Sequence, residues 1–243
     1  MNIAVILAAG VGQRMRNAGL PKQFLKLFGK PIIIYTLEKF ELAEDIDRVI
    51  IVCREGYVDH MKSLLNLYQI KKVERVVLGG ADRQESLLRG VNAAAAISSA
   101  PDDVVVIHDG VRPLVSLTTI RENIRIARMY GCAITVHPVT ESVVIAEKEE
   151  VVIDDFKKRA ATYSLSAPQS FRIADLQQAL HENHEAEHNG MPLLDAGMVY
   201  ADTGRDVHLV KEQGPNIKIT TPEDFYYLKA MIELAENRFV FGL

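Results

Sequence analysis

Short apolar runs alternate with longer amphipathic ones through the first half of the chain. "IAVIL" (3–7), "RVIIVC" (48–53), "ERVVLGG" (74–80), "DVVVIHD" (103–109) and "CAITVHPV" (132–139) are apolar through their centres. Strands apolar on both faces suit a parallel sheet covered by helices on each side. Between them, "IIIYTLEKFELA", "GYVDHMKSLLNLY", "RQESLLRGVNAAAAI" and "SLTTIRENIRIARMYG" predict helices. The last stops at Gly131, a residue suited to the left-handed turn that ends a helix. Strict alternation predicts an α/β fold with a doubly wound, mostly parallel, Rossmann-like sheet. Ligands of such a sheet collect outside the carboxyl ends of its strands.

The rhythm then breaks. In residues 138–164 short runs, Val143–Ala146 and Val151–Ile153, flank the polar turn Glu147–Glu150. That is a hairpin pattern, and a hairpin projecting from an α/β body is a candidate for subunit contact. A helix near 172–184, a segment at 191–201 and a strand "VHLVK" (207–211) come next. Thr221 as N-cap, Pro222 at the first helical position and the acids Glu223 and Asp224 then open a final helix. No repeats or low-complexity tracts interrupt the chain. The expectation is one domain over residues 1–243, with a protruding arm at about 138–164.

Composition narrows the function classes. The 243 residues are 48% hydrophobic and 25% charged, enough to bury a core and stay in solution. Net charge is −4, so the overall field gives no reason to expect nucleic acid as a partner. Phosphate affinity would have to come from local clusters of basic residues. Cys53 and Cys132 fall in apolar strands, which points to reduced thiols and a cytoplasmic setting. No apolar run approaches the ~18 residues that would suggest a membrane span.

The stretch "LAAGVGQRMRNAGLPK" (7–22) is too long for its place, because strand-to-helix turns usually need about 2–6 residues. It lacks the G-x-x-x-x-G-K-[ST] spacing of a phosphate-binding P-loop. It also puts Met15 where a dinucleotide fingerprint needs its third glycine. A loop wrapping a nucleoside triphosphate fits better. Ala8, Ala9 and Gly10 would let backbone N–H groups approach closely, and Arg14 and Lys22 would supply charge.

"LAAGVGQRM" followed by "PKQFL" resembles the opening signature of sugar-nucleotide-type nucleotidyltransferases, and more narrowly of cytidylyltransferases acting on polyol phosphates. "GGADRQES" (79–86), "HDGVRP" (108–113), "APQSF" (167–171) and "NIKITTPEDF" (216–225) occur in that family's order. The resemblance covers essentially the whole chain. It implies the nucleotide-diphospho-sugar transferase type of sheet, and a reaction of CTP with a polyol phosphate giving a CDP-polyol and pyrophosphate.

The resemblance also implies roles. Arg14, Lys22 and Lys218 would stabilise charge at the reacting phosphates. Leu7, Ala8, Ala9 and Gly10 would run along the CTP, while Gly80, Ala81, Asp82, Arg83 and Ser86 close over its base and ribose. Asp109 would position substrate and a Mg²⁺ ion, a hard cation that often takes only one or two carboxylates. Arg112 would either meet phosphate or brace its loop, and His108 would be structural. Arg159 would reach the polyol phosphate, across a homodimer interface in some members, and Asp195 would lie near the polyol.

"PQSF" and "HDGVRP" lean toward ribitol 5-phosphate as the acceptor. The 2-C-methyl-D-erythritol 4-phosphate branch remains the alternative, although Gly110, Ala167 and Leu194 depart from its pattern. A catalytically silent nucleotide-binding module is the reading from a different class. It would be expected to lack Arg14, Lys22 or Lys218, and all three are present. His181, His184 and His188 have metal-like spacing but sit on a polar helix end running into Gly190, so no metal is assigned to them.

Overall fold

The computed structural model describes residues 1–10, 20–146, 153–185, 195–212 and 214–241, the side chains of 183–185, 236 and 238–241 excepted. Strand β1 (Asn2–Ala8) is followed by the small hairpin β2 (Lys26–Leu27) and β3 (Lys30–Pro31) and by helix α1 (Ile32–Leu42). Next come β4 (Arg48–Cys53), α2 (Val58–Leu67), β5 (Val73–Leu78), α3 (Arg83–Ala95) and β6 (Val104–Asp109). After them stand α4 (Leu117–Tyr130), β7 (Cys132–Pro138), β8 (Val144–Ile145), β9 (Asp155–Phe156) and β10 (Tyr163–Arg172). Helices α5 (Ile173–Glu185) and α6 (Ala196–Asp202), strand β11 (Leu209–Lys211) and helix α7 (Pro222–Phe241) complete the order.

Seven strands form one sheet in the order β11-β7-β10-β6-β1-β4-β5. Its pairings are parallel except the two made by β10, which runs antiparallel to both β6 and β7. Side chains alternate across a strand, so each strand feeds two cores. Ala4, Ile6, Val49, Ile51, Val104 and Val106 pack with Ile34, Leu37 and Phe40 of α1, Met61 of α2 and Ile120 of α4. Ile3, Val5, Ile50, Val52, Val105 and Ile107 pack with Leu87 and Val91 of α3, Leu176 of α5 and Val199 of α6. The five apolar runs are all strands of this sheet, and the four amphipathic segments between them are all helices.

Local chemistry sets the helix ends. Ser116 caps α4 by accepting from the Thr119 amide at 3.0 Å. Gly131 closes the helix at φ +93°, a backbone conformation in which a side chain would be strained. Helix α3 lies unusually close to the sheet at Gly90. A Cβ there would stand 2.5 Å from Val5 Cγ1 and 2.8 Å from Val52 Cγ2.

In the arm, Val144–Ile145 pairs with Asp155–Phe156. The polar turn 147–150 and residues 151 and 152 of the expected second run lie outside the described residues. One expectation needs correction: the sequence does not announce β10 as a strand. Its centre reads Ser-Ala-Pro-Gln-Ser, and proline normally argues against a central strand. The strand avoids that conflict by bulging. Leu165 pairs with Val136 and Gln169 with Ile134, so β10 advances four residues while β7 advances two. Two polar groups at the bulge are served by neighbours: Thr135 Oγ1 donates to the Pro168 carbonyl at 2.6 Å, and Gln169 Oε1 accepts from the Gly197 amide at 2.9 Å.

Among the described residues, no helix is long and apolar enough to cross a membrane. The tight seat of α3 generates a prediction with an unusual sign. Glycine to alanine inside a helix normally stabilises by about 1 kcal/mol. Here Gly90→Ala should destabilise by about 1–3 kcal/mol, because the flanking valines cannot swing aside. Urea unfolding would show it, and a gain in stability would refute the close approach.

Candidate active site

The strand order reverses between β4 and β6, which flank β1, and a crevice opens there beyond the carboxyl ends. Register aligns those ends. Leu7 pairs with Asp109, Ala8 with Cys53, and Cys53 with Leu78. Gly79 continues the row, its amide donating to the Cys53 carbonyl at 2.8 Å. The loops that leave β1, β5 and β6 therefore converge on one crevice.

A cleft of about 350 Å³ occupies it, walled by Leu7, Ala8, Ala9 and Gly10 after β1 and by Lys22 and Gln23. Gly80, Ala81, Asp82, Arg83 and Ser86 form the side after β5, with Asp109, Val111 and Lys218 at the base. A second cleft of about 390 Å³ adjoins it. Its lining adds His108, Arg112, Ser166, Ala167, Gln169 and Asp195. Arg83, Asp109 and Lys218 belong to both clefts.

Asp109 is the wall between the clefts. Its carboxylate, 7% exposed, meets Arg83 Nη1 at 3.0 Å through Oδ1. Through Oδ2 it meets Arg112 Nε at 3.1 Å and Lys218 Nζ at 3.1 Å. Burial pushes the carboxyl up, but Arg83, Lys218 and Arg112 together outweigh it and hold the group far below the usual carboxylate range. Burial also lowers Lys218, and the Asp109 charge only partly offsets this. Asp109 is therefore firmly ionised, with Arg83, Arg112 and Lys218 gathered around it.

The side chains around this group have distinct supports. Arg112 braces its loop as well as pairing with Asp109, since its Nη1 donates to the Asn216 carbonyl at 2.8 Å. The ring of His108 packs 5.1 Å from that of Phe40, although the residue also borders the second cleft. Its Nε2 lies 3.1 Å from the Arg112 carbonyl, so it carries the proton. Asp82 caps α3, accepting from the Glu85 amide at 2.7 Å. Ser86 accepts from the Gly80 amide at 3.0 Å and donates to the Asp82 carbonyl at 2.7 Å. Asp82 and Ser86 thus shape the loop whose surface lines the cleft. Asp195 caps α6 at the Met198 amide, 3.0 Å away, and faces the second cleft.

Arg159 is not brought to either cleft. It sits exposed on a short turn, Arg159–Ala161, between the arm and β10. Arg14, Leu194 and His188 lie outside the described residues, as does the side chain of His184. The sequence reading passes over Gln23, whose buried amide donates to the Ala8 carbonyl at 2.6 Å and the Gly10 carbonyl at 3.3 Å. It also passes over Ser166, Gln169 and Asn216. All four lie in or next to the motifs "PKQFL", "APQSF" and "NIKITTPEDF", which are the available signal.

A family model described as "IspD: 2-C-methyl-D-erythritol 4-phosphate cytidylyltransferase" matches residues 2–234. The chain belongs to this cytidylyltransferase family. A relative from Vibrio parahaemolyticus, named ribitol-5-phosphate cytidylyltransferase, is 42% identical, with both chains covered in full. One of the same name from Streptococcus agalactiae serotype III is 38% identical, again with full coverage of both. Among solved structures, the 4-diphosphocytidyl-2C-methyl-D-erythritol synthase of Anaerococcus prevotii aligns with TM-score 0.79 at 27% identity, covering 96% of each chain. The 2-C-methyl-D-erythritol 4-phosphate cytidylyltransferase of Thermus thermophilus aligns with TM-score 0.72 at 26% identity, covering 94% of this chain and 98% of the other.

His108, buried against Phe40, bears on stability. Burial lowers its pKa from the ordinary 6.5 to about 4. The unfolded chain therefore binds an extra proton between those values, and stability falls as pH drops from about 6.5 toward 4. Equilibrium unfolding across that range should show a slope that is shallower in His108→Gln, which keeps a donor near Nε2 but cannot titrate. Equal slopes in the two proteins would remove His108 from the acid response.

Proposed function

We propose that this cytidylyltransferase transfers CMP from CTP to D-ribitol 5-phosphate, giving CDP-ribitol and pyrophosphate. The observation that carries the reading is the cationic trio Arg83, Arg112 and Lys218 around Asp109, at the junction of two clefts. Both reactants are anions, and basic side chains gathered between two adjoining compartments suit their meeting. The first cleft takes CTP, with Leu7 to Gly10 along it and the Gly80–Ser86 loop over the base and ribose. The second takes the polyol phosphate, with Asp195 toward its hydroxyls. The phosphate oxygen of the acceptor attacks the α-phosphorus, and Lys22, Lys218 and Arg14 stabilise the charge that moves onto the leaving pyrophosphate.

Asp109 would hold Mg²⁺ here, since a hard cation of this kind often takes only one or two carboxylates and Asp109 lines the first cleft. The bound ion would neutralise part of the triphosphate charge. In the same reading the arm forms a homodimer contact, and Arg159 serves the partner's second cleft. Val144, Ile153 and Phe156 are exposed on the arm and supply apolar surface for it. Monomeric sedimentation of a fully active enzyme would remove that arrangement.

Names of the full-length relatives favour ribitol 5-phosphate, whereas the family description and the solved neighbours keep 2-C-methyl-D-erythritol 4-phosphate as the second reading. Pyrophosphate release should be measured with CTP, Mg²⁺ and each acceptor, with and without chelator. Release with ribitol 5-phosphate that stops on chelation is expected. Release only with the methylerythritol phosphate would overturn the acceptor, and release in chelator would discard the role given to Asp109. Lys22→Ala should lower turnover by about 100-fold with a smaller effect on CTP binding. Unchanged turnover would exclude Lys22 from the chemistry.

A further inference from the structure

Behind the cationic trio lies a buried carboxylate that the chemistry above does not use. Glu212, just past β11, is 6% exposed, and Asn216 is 2% exposed. Glu212 Oε1 accepts from Thr119 Oγ1 at 2.6 Å, and Oε2 accepts from Asn216 Nδ2 at 2.9 Å. The same Nδ2 donates to the Ala167 carbonyl in the bulge of β10. The Asn216 carbonyl, in turn, accepts from Arg112 Nη1 at 2.8 Å.

We propose that Glu212 and Asn216 are positioning residues: a carboxylate–amide clamp, anchored on the Ala167 carbonyl, that sets Lys218 against Asp109. A carboxylate only accepts, so it dictates which end of the Asn216 amide faces it. Both amide hydrogens are then committed, one to Glu212 and one to Ala167. Three residues further on, the Ile219 amide donates to the Val111 carbonyl at 2.9 Å, and the Ile219 side chain is fully buried. Lys218 is thereby held between two fixed points. One residue, Asn216, ties the segment that carries Lys218 to the Ala167 wall of the second cleft.

The inference rests on the proposed reaction for its kinetic readout, so the test carries a second readout that does not. In Asn216→Ala, turnover should fall about 30-fold while the CTP dissociation constant changes less than about threefold, as expected of a group that aligns rather than binds. In a Lys218→Ala background the same change should cost less than about threefold, because the clamp acts through Lys218. Amide exchange at Ile219 should quicken about tenfold in Asn216→Ala and in Glu212→Leu. Asn123→Ala is the control. Asn123 is also buried and hydrogen-bonded, to the Thr119 carbonyl and Thr135 Oγ1, but does not touch Asn216. It should lower the melting temperature while leaving Ile219 exchange within about twofold.

A full, additive loss in the Lys218→Ala background would overturn the clamp, as would unaltered Ile219 exchange. A wild-type enzyme silent with every acceptor would refute the proposed reaction instead, and Ile219 exchange would still decide the clamp.

Discussion

The site depends on one buried carboxylate outnumbered by its partners. Asp109 holds Arg83, Arg112 and Lys218 within about 3 Å. An ion pair this deep adds little net stability, because desolvation consumes most of the attraction. Its value lies elsewhere. Three cations brought this close repel one another, and the buried anion offsets that repulsion. The crevice thus gathers basic side chains in a protein whose net charge is negative.

Topology explains why that carboxylate can reach two compartments. The chain leaves β1 in one direction, through β4 and β5, and returns on the other side through β6, so Asp109 ends a strand at the point of reversal. On its β1 side the row of strand ends is parallel and opens the first cleft. On its other side the neighbour is β10, running the opposite way and bulged at Ser166–Pro168, which opens the second. A wholly parallel neighbour would have continued the first cleft rather than founding another.

The sequence made the apolar framework legible and concealed its polar supports. Val104–Ile107 and Ile3–Ile6 announce themselves because burial on two faces leaves no polar position. The small residues from Leu7 to Gly10 and the glycines after β5 stood out because a loop that admits a ligand must be thin. β10 was hidden: serines, a glutamine and a proline read as loop, and only the sheet context provides Thr135 and Gly197 as partners. Gln23, Glu212 and Asn216 were hidden for the same reason, since a polar residue that will be buried and bonded looks like a surface one until its partner is known. Asp82 and Ser86 were noticed, yet their hydrogen bonds show them shaping the loop from within.

The bulged strand also ties two parts of the molecule covalently. Tyr163 to Leu165 pair with the last residues of β7 at the foot of the arm, and Ser166 to Gln169, directly after them, border the second cleft. No linker separates the two. The arm therefore cannot be exchanged as a module, since lengthening, shortening or re-angling it would drag the cleft wall with it. Changes in the arm and changes in the shape of the second cleft are mechanically joined in this fold, and divergence in one would leave its trace in the other.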